Sequence, residues 1–243
     1  MKKIFLVMVS TISLIACNAQ NQTKFGNILN KANDILNQNA ASLSTDEIAR
    51  GLKEALAVGI KNSSAQASAL DGYYKNDMIK ILFPPEAVKL EQKLRQIGLG
   101  KQCDEFTMAL NRGAEDAAKK AVPIFINSIT KMSFQDAMSI LKGDKNAATN
   151  FLKRTTTQEL MEAYGPVIDS SLTKTSATKY YGTLASTYNK LPFVSPVNAD
   201  LKSYATQKAI DGLFLLVEAE EKKIRENPAA RVTDLLKKVF ANQ

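Results

Sequence analysis

Apolar residues recur at intervals of three and four along most of this chain, which is the spacing that places them on one face of an α-helix. The longest such stretch runs from about Ala199 to Asn227, where Pro228 ends it, and a short amphipathic helix is predicted over residues 231–240. Alternating runs of the kind that form half-buried strands are missing from the sequence. The pattern therefore predicts an all-α fold, a multi-helix bundle-like globular domain.

Three short motifs mark predicted helix starts, because a serine or threonine followed three residues later by an acid can satisfy backbone N–H groups of the first turn. These capping boxes are Ser44 with Glu47, Ser133 with Asp136, and Thr156 with Glu159. Glycine, proline and aspartate predict breaks at residues 71–72, 84–85, 98–100, 143–144 and 191–198. Pro123 is expected to bend a helix within an apolar stretch that should be the most deeply buried part of the bundle.

The N-terminus has the features of a secretory signal. Lys2 and Lys3 precede an apolar run over residues 4–15, which is shorter than the roughly 20 residues that a membrane-spanning helix needs. The run ends in Leu-Ile-Ala-Cys at residues 14–17, which resembles the box that precedes the diacylated cysteine of bacterial lipoproteins. We therefore expect a signal peptide over residues 1–16 that is removed, and acyl chains on Cys17.

A segment rich in asparagine and glutamine follows Cys17. Residues 17–42 are expected to form a lipid-anchored polar tether that ends in a first helix, and residues 43–243 to form the helical domain. Two or three acyl chains give lasting membrane attachment where one does not. Asn18 and the lack of an acidic cluster in the tether favour the outer membrane, facing the periplasm. The membrane is then the first expected partner, and a second envelope protein or a second copy of the chain is the other.

The composition of the chain excludes several classes of binding and catalytic site. The formal charge of +8 becomes +6 when Lys2 and Lys3 leave with the signal, and the basic residues are interspersed with acids, so no nucleic-acid-binding stripe is present. The chain has no histidine, which removes Ser-His and Cys-His catalysis and the usual zinc sites. No catalytic residue, cofactor or metal ligand is predicted.

If Cys17 is acylated, Cys103 lacks an intramolecular disulfide partner and is expected to be a small buried hydrophobe.

Several segments resemble one bacterial family. The main one is residues 208–240, which begins Lys-Ala-Ile-Asp-Gly-Leu-Phe and closes Ala-Ala-Arg-Val-Thr-Asp-Leu-Leu-Lys-Lys-Val-Phe. Shorter matches are Gly-Leu-Lys-Glu-Ala-Leu at 51–56, Gly-Tyr-Tyr-Lys-Asn at 72–76, Asn-Arg-Gly-Ala-Glu at 111–115, Met-Ser-Ile-Leu-Lys-Gly-Asp at 138–144 and Ala-Ala-Thr at 147–149. Over roughly residues 43–240 the chain resembles domain-of-unknown-function family 4197.

The resemblance implies an exported, helical envelope protein, often a lipoprotein, and carries no established activity. Cys103 stands where the family pattern favours an aliphatic residue, and the Asn-rich tether also departs from that pattern. Neither feature is given a role by the resemblance.

Seven polar residues are candidates for a binding site. Arginines and amides that converge on one cleft would suit a carboxylate or phosphate ligand, since a guanidinium binds such groups at two points. The alternative is that these residues are helix caps and ion pairs, with Glu221 beside Arg225 on the helix surface. The seven are Asn111, Arg112, Glu115, Glu221, Arg225, Asn227 and Arg231.

Three functions are compatible with this sequence. The first is a non-catalytic binding or structural module of the envelope, which an exposed apolar patch would support. The second is a carrier of a small apolar or amphiphilic ligand, with a closed cavity lined by Tyr73, Tyr74, Tyr180, Tyr181 and Phe125. The third is a histidine-free hydrolase, which would need two facing carboxylates from the group Glu218, Glu220 and Glu221.

Overall fold

The computed structural model describes residues 44–174, 177–190, 196–197, 200–227, 237 and 239, with the backbone alone at 177–180, 184 and 187. Eight α-helices and no strand occur in this part of the chain, which confirms the all-α prediction. The helices are α1 (Thr45–Ser68), α2 (Val88–Gln96), α3 (Gly100–Ala118), α4 (Ala121–Lys131), α5 (Phe134–Lys142), α6 (Ala147–Lys174), α7 (Ala177–Tyr188) and α8 (Leu201–Glu226). A short 3-10 turn, Pro85–Ala87, precedes α2.

Two of the three predicted capping boxes are present. The Ser44 hydroxyl accepts the Glu47 N–H at the start of α1, and Ser133 and Asp136 make the same pair at the start of α5. The prediction for Thr156 was wrong, because this residue lies inside α6 with its side chain buried. Its hydroxyl donates to the carbonyl of Leu152 one turn earlier (2.6 Å), a bond that threonine readily makes within a helix.

The prediction for Pro123 was also wrong. Helix α3 ends at Ala118, and Lys119 and Lys120 separate it from α4. Pro123 lies in the first turn of α4, where a missing N–H costs no helical hydrogen bond. The proline inside a helix is instead Pro166, in α6. The apolar stretch around Pro123 is only partly buried, which differs from the expectation: Ile124 and Phe125 are buried, but Val122 and Ile126 are partly exposed.

The core lies around α6 and α8, which pack against each other. Helix α3 packs on both, and α1 packs on α3, α4, α5 and α8. Phe125 of α4 meets Phe214 of α8 edge to face, with ring centroids 5.7 Å apart. Cys103 is 2% exposed, as predicted, and burial raises the pKa of its thiol.

A long non-helical connection runs from Ala69 to Pro84 between α1 and the turn before α2. Asp71 adopts a left-handed backbone (φ 66°), and a methyl group on Gly72 would collide with the carbonyl oxygens of Gln66 and Ala67. Tyr73 is then fully buried, and its O–H donates to the carbonyl of Ala209 in α8 (2.6 Å). Gly212 makes room for this ring, since a methyl group there would lie 2.9 Å from Tyr73 Cε1. The connection is thereby fixed to α8.

The predicted helix at 199–227 is confirmed as α8, and the predicted breaks at 71–72 and 143–144 fall between helices. The breaks at 84–85 and 98–100 also separate helices, although Pro85 begins the 3-10 turn and Gly100 begins α3. Residues 1–43, most of 191–198 and most of the predicted C-terminal helix at 231–240 lie outside the described residues. None of the described helices combines the length and apolar content needed to cross a membrane.

Candidate functional site

The predicted polar residues fall into two clusters with separate partners rather than into one pocket. Asn111, Arg112 and Glu115 lie on α3 and bind the 69–84 connection. Glu221 and Arg225 lie on α8 and bind the start of α6 and the end of α5. Asn227 is the C-cap of α8, and Arg231 is outside the described residues.

Glu115 is the centre of the first cluster. Its side chain is 5% exposed, and its Oε1 accepts the backbone N–H groups of Tyr73 and Tyr74, both at 3.1 Å. Arg112 bridges the other carboxylate oxygen to Asp71, with N–O distances of 2.5 and 2.6 Å. Hydrogen bonds from Lys75 and Arg112 lower the pKa of the Asp71 carboxyl group. Hydrogen bonds to Glu115 and Asp71 raise the pKa of the Arg112 guanidinium. The cluster therefore closes the tight turn at Asp71 and Gly72 onto α3.

Asn111 binds the same connection further along. Its Oδ1 accepts the N–H of Ile81 and its Nδ2 donates to the Ile81 carbonyl, both at 2.8 Å. The amide also donates to the Thr107 carbonyl (2.7 Å). Asn111 is 0% exposed, so all of its observed contacts are with the protein's own backbone.

Glu221 is the centre of the second cluster. Its two oxygens accept the N–H groups of Ala148 (3.0 Å) and Thr149 (2.8 Å), which belong to the first turn of α6, and the Thr149 hydroxyl (2.8 Å). Arg225 donates to Glu221 and to the Ile140 carbonyl at the end of α5, both at 2.9 Å. A carboxylate at a helix N-terminus satisfies orphan N–H groups and complements the helix dipole. Glu221 is thus a cap supplied by another helix.

One expectation about this pair was wrong. Glu221 and Arg225 were placed on an exposed helix surface, but their side chains are only 5% and 12% exposed. Burial excludes water from the pair and makes it part of the packing between α8, α5 and α6.

The acids considered for hydrolysis have internal partners as well. Glu220 accepts from Asn62 (3.0 Å) and pairs with Lys223 (3.2 Å), and Glu218 accepts from Asn146 (3.4 Å). Together with the cap formed by Glu221, these contacts are those of helix packing. Within the described part of the chain, no three acidic or cysteine side chains lie close enough to hold a metal ion.

A groove of about 690 Å³ lies between the 76–88 segment, α2, α3 and α8, and is here called the 76–88 groove. Tyr74, Lys80 and Lys208 are among its lining residues. Its walls expose large apolar side chains: Met78 (53%), Leu82 (59%), Val88 (40%) and Leu215 (43%). Single exposed apolar residues are ordinary, but four that line one groove mark a candidate contact surface.

Three basic and three acidic residues are among those that line the groove: Lys80, Arg95 and Lys208, and Glu91, Asp104 and Asp211. Arg95 pairs with both Glu91 and Asp104 at 2.8 Å, which leaves a net charge of −1 on this group of three. The Lys80 ammonium lies 4.6 Å from the centre of the Tyr74 ring, and Lys208 is exposed. Neither lysine has a carboxylate within ion-pair distance among the described residues.

The groove was not predicted from the sequence. The apolar run Met78-Ile-Lys-Ile-Leu-Phe83 lies in a non-helical stretch between two predicted breaks, which is the one local indication of it. Asp71 was also missed as a member of the Glu115 cluster. Tyr73, Tyr181 and Phe125, expected to line a cavity, are at most 2% exposed, whereas Tyr74 does line the groove. The side chain of Tyr180 is outside the described residues.

Comparisons with known proteins give one match. No significant match is found among curated proteins or among solved structures. A family model described as "protein of unknown function (DUF4197)" matches residues 42–241. That range covers all the helices and both polar clusters described above, so the chain belongs to the DUF4197 family.

Proposed function

We propose that this protein is a non-catalytic envelope lipoprotein, held at the periplasmic face of a bacterial membrane by acyl chains on Cys17, that binds a segment of another envelope protein. The 76–88 groove is the proposed binding site. The observation that carries the proposal is the exposure of Met78, Leu82, Val88 and Leu215 along one groove. The Leu-Ile-Ala-Cys box at 14–17 supports the lipid anchor.

The polar clusters are structural and give no support to catalysis by their acids. The carboxylates of Glu115 and Glu221 each accept hydrogen bonds from backbone N–H groups and from an arginine. Acids held this way have their lone pairs occupied by the protein, whereas a general acid or base must reach a substrate. Helix packing therefore accounts for these residues.

The carrier alternative has weaker support. It needs a closed apolar chamber, and three of the aromatic residues proposed to line one, Tyr73, Tyr181 and Phe125, are packed in the interior. The groove is instead open to solvent along the side chains of Leu82 and Leu215. An open groove that combines exposed apolar side chains with charged ones is typical of surfaces that bind another protein.

Site-specific photocrosslinking in intact cells tests the proposal. A photoreactive residue replaces Leu82 in the groove and, in a matched control, Leu70, which is 78% exposed and does not line the groove. We expect one adduct, mapped by mass spectrometry to a defined peptide of another protein, at position 82 and not at 70.

A second substitution shows whether that adduct depends on the groove. Leu215→Asp places a charge on the groove wall, and Ile97→Asp places one at a 72% exposed position outside it. We expect Leu215→Asp to remove the adduct and Ile97→Asp to leave it. Equal adducts at positions 82 and 70, or no effect of Leu215→Asp, would contradict the proposal.

A further inference from the structure

The chain at residues 79–83 has the side-chain pattern of an extended strand. Ile79 lies in a turn and Phe83 at a bend, and residues 80–82 between them are outside both. Ile79, Ile81 and Phe83 are 5%, 2% and 6% exposed, while Lys80 is partly exposed and Leu82 is 59% exposed. This alternation with period two is that of a β-strand, in which successive side chains lie on opposite faces. It occurs here as a single segment in a helical protein.

One edge of this segment is already paired. Asn111 accepts the Ile81 N–H and donates to the Ile81 carbonyl, both at 2.8 Å. These are the two bonds that a neighbouring strand would make to one residue, so the buried amide of Asn111 takes the place of a strand on the side of α3.

The opposite edge has a free donor and a free acceptor. In an extended chain, the N–H and C=O of neighbouring residues point to opposite sides, so those of Lys80 and Leu82 face away from Asn111. The Lys80 N–H donates to Asn76, and the Leu82 carbonyl accepts the Tyr204 O–H (3.2 Å). Within the described part of the chain, no hydrogen bond reaches the Leu82 N–H or the Lys80 carbonyl. These are the two groups that one residue of a parallel strand bridges.

Ion pairing adds a second preference. The charges that line the groove sum to zero, but Glu91 and Asp104 both pair with Arg95, whereas Lys80 and Lys208 have no carboxylate within ion-pair distance among the described residues. Asp211 accepts a hydrogen bond from Gln207 (2.9 Å). Two ammonium groups beside apolar walls complement a segment that carries both acidic and apolar side chains.

We propose that the 76–88 groove binds an extended peptide segment of a partner protein, which pairs in parallel with residues 80–82 and presents acidic side chains to Lys80 and Lys208. This inference rests on the proposed function and specifies its ligand. Backbone hydrogen bonds would hold the segment, and alternate side chains would reach the apolar wall formed by Leu82 and Leu215.

Binding of synthetic peptides to the full mature chain in nanodiscs of zwitterionic lipid tests this inference. The probes are acetylated, amidated hexapeptides in which Val, Ile or Leu alternate with Asp or Glu. Matched sets carry Asn or Gln, or Lys or Arg, at the charged positions. A further set is N-methylated at the central residue, which removes a backbone donor and leaves the side chains unchanged.

We expect the acidic set to bind at least about tenfold more tightly than the basic set. Central N-methylation is expected to weaken binding about tenfold, because it removes the bond to the Lys80 carbonyl. Lys80→Ala with Lys208→Ala should abolish the preference for acids. Leu82→Pro removes the free N–H and should weaken every set. The N-methylated peptides test the same pairing from the ligand side and do not depend on how that variant folds.

Other outcomes overturn the inference. Equal binding of acidic and basic sets contradicts the charge assignment, and equal binding of N-methylated peptides contradicts strand pairing. Sodium palmitate is the control for an anionic lipid, and binding of palmitate without binding of peptides would assign the groove to a lipid. If the Leu82 adduct in cells persists while N-methylation has no effect, the groove remains a binding site and only the mode of pairing is wrong. If the adduct itself is absent, the proposed function is wrong, and so is this inference, which rests on it.

Discussion

Replacing Glu221 should destabilise the whole bundle, because this one side chain caps α6 and pairs with Arg225. Glu221→Ala removes the acceptor for the N–H groups of Ala148 and Thr149, residues that are 1% and 0% exposed. A buried donor left without a partner costs about 1–3 kcal/mol. Removing one partner of a buried ion pair costs about 3–5 kcal/mol. Since Arg225 keeps its bond to the Ile140 carbonyl, we expect a loss of about 3–4 kcal/mol in the free energy of unfolding.

Urea unfolding followed by far-UV circular dichroism measures this loss, provided that the dependence on urea is compared between variants. Glu226→Ala is the matched control, since Glu226 lies on the same helix, is 49% exposed and is 3.7 Å from Lys145. It should cost about 0–1 kcal/mol. Glu221→Gln keeps one acceptor and the shape, and should fall between the two.

A double-mutant cycle separates the cap from the ion pair. Glu221→Ala and Arg225→Ala share one interaction, so the double variant should lose less than the sum of the single losses. A loss below about 1 kcal/mol for Glu221→Ala, or one equal to that of Glu226→Ala, would refute the assignment of Glu221 as a buried cap.

Three further predictions concern other parts of the chain. In the folded protein the pKa of Asp71 lies below its usual 3.8, so its ion pairs stabilise the fold above pH 3.8 and this contribution disappears as the pH falls through the folded pKa. Asp71→Asn should therefore make the melting temperature depend less on pH on the acid side. An unchanged dependence on pH would contradict the pairing. Gly72→Ala should lower the melting temperature because of the collision with Gln66 and Ala67, whereas Gly182→Ala, in a helix with nothing within 4 Å, should leave it unchanged or raise it. Metabolic labelling with an alkyne fatty acid should mark the wild type and Cys103→Ser but not Cys17→Ser, and label on all three would refute the lipid anchor.

The parts of the fold that the sequence predicts are those governed by local contacts. The capping boxes at Ser44 and Ser133 join residues three apart, and the apolar period of α8 is visible over 26 residues. The prediction failed at Thr156 because its hydroxyl had a competing acceptor one turn earlier, and the side-chain pattern of a cap is the same in both situations.

The candidate sites depend on distant contacts that spacing does not encode. Glu115 binds backbone groups 41 and 42 residues away, and Glu221 binds groups 72 and 73 residues away. From spacing alone, the acids and arginines looked like one polar pocket or a set of surface pairs. The packing of α3, α6 and α8 instead buries them in two separate clusters, of which one holds the 69–84 connection and the other caps α6.

The 76–88 groove could not be predicted for a related reason. Apart from Lys80, residues 78–83 are large and apolar, and their sequence does not distinguish the side chains that are buried from those that are exposed. Asn111 and Glu115 hold this connection to α3 so that Ile81 points inward and Leu82 outward. Exposure of Leu82 is therefore a consequence of tertiary hydrogen bonds.

The most direct test of the proposed binding site is the yield of the crosslink from position 82 in intact cells, measured with and without Leu215→Asp. The groove assignment predicts one defined protein adduct that Leu215→Asp removes and Ile97→Asp preserves, while the folded fraction of all three proteins stays the same. An adduct that survives Leu215→Asp, or that forms equally from position 70, would contradict it.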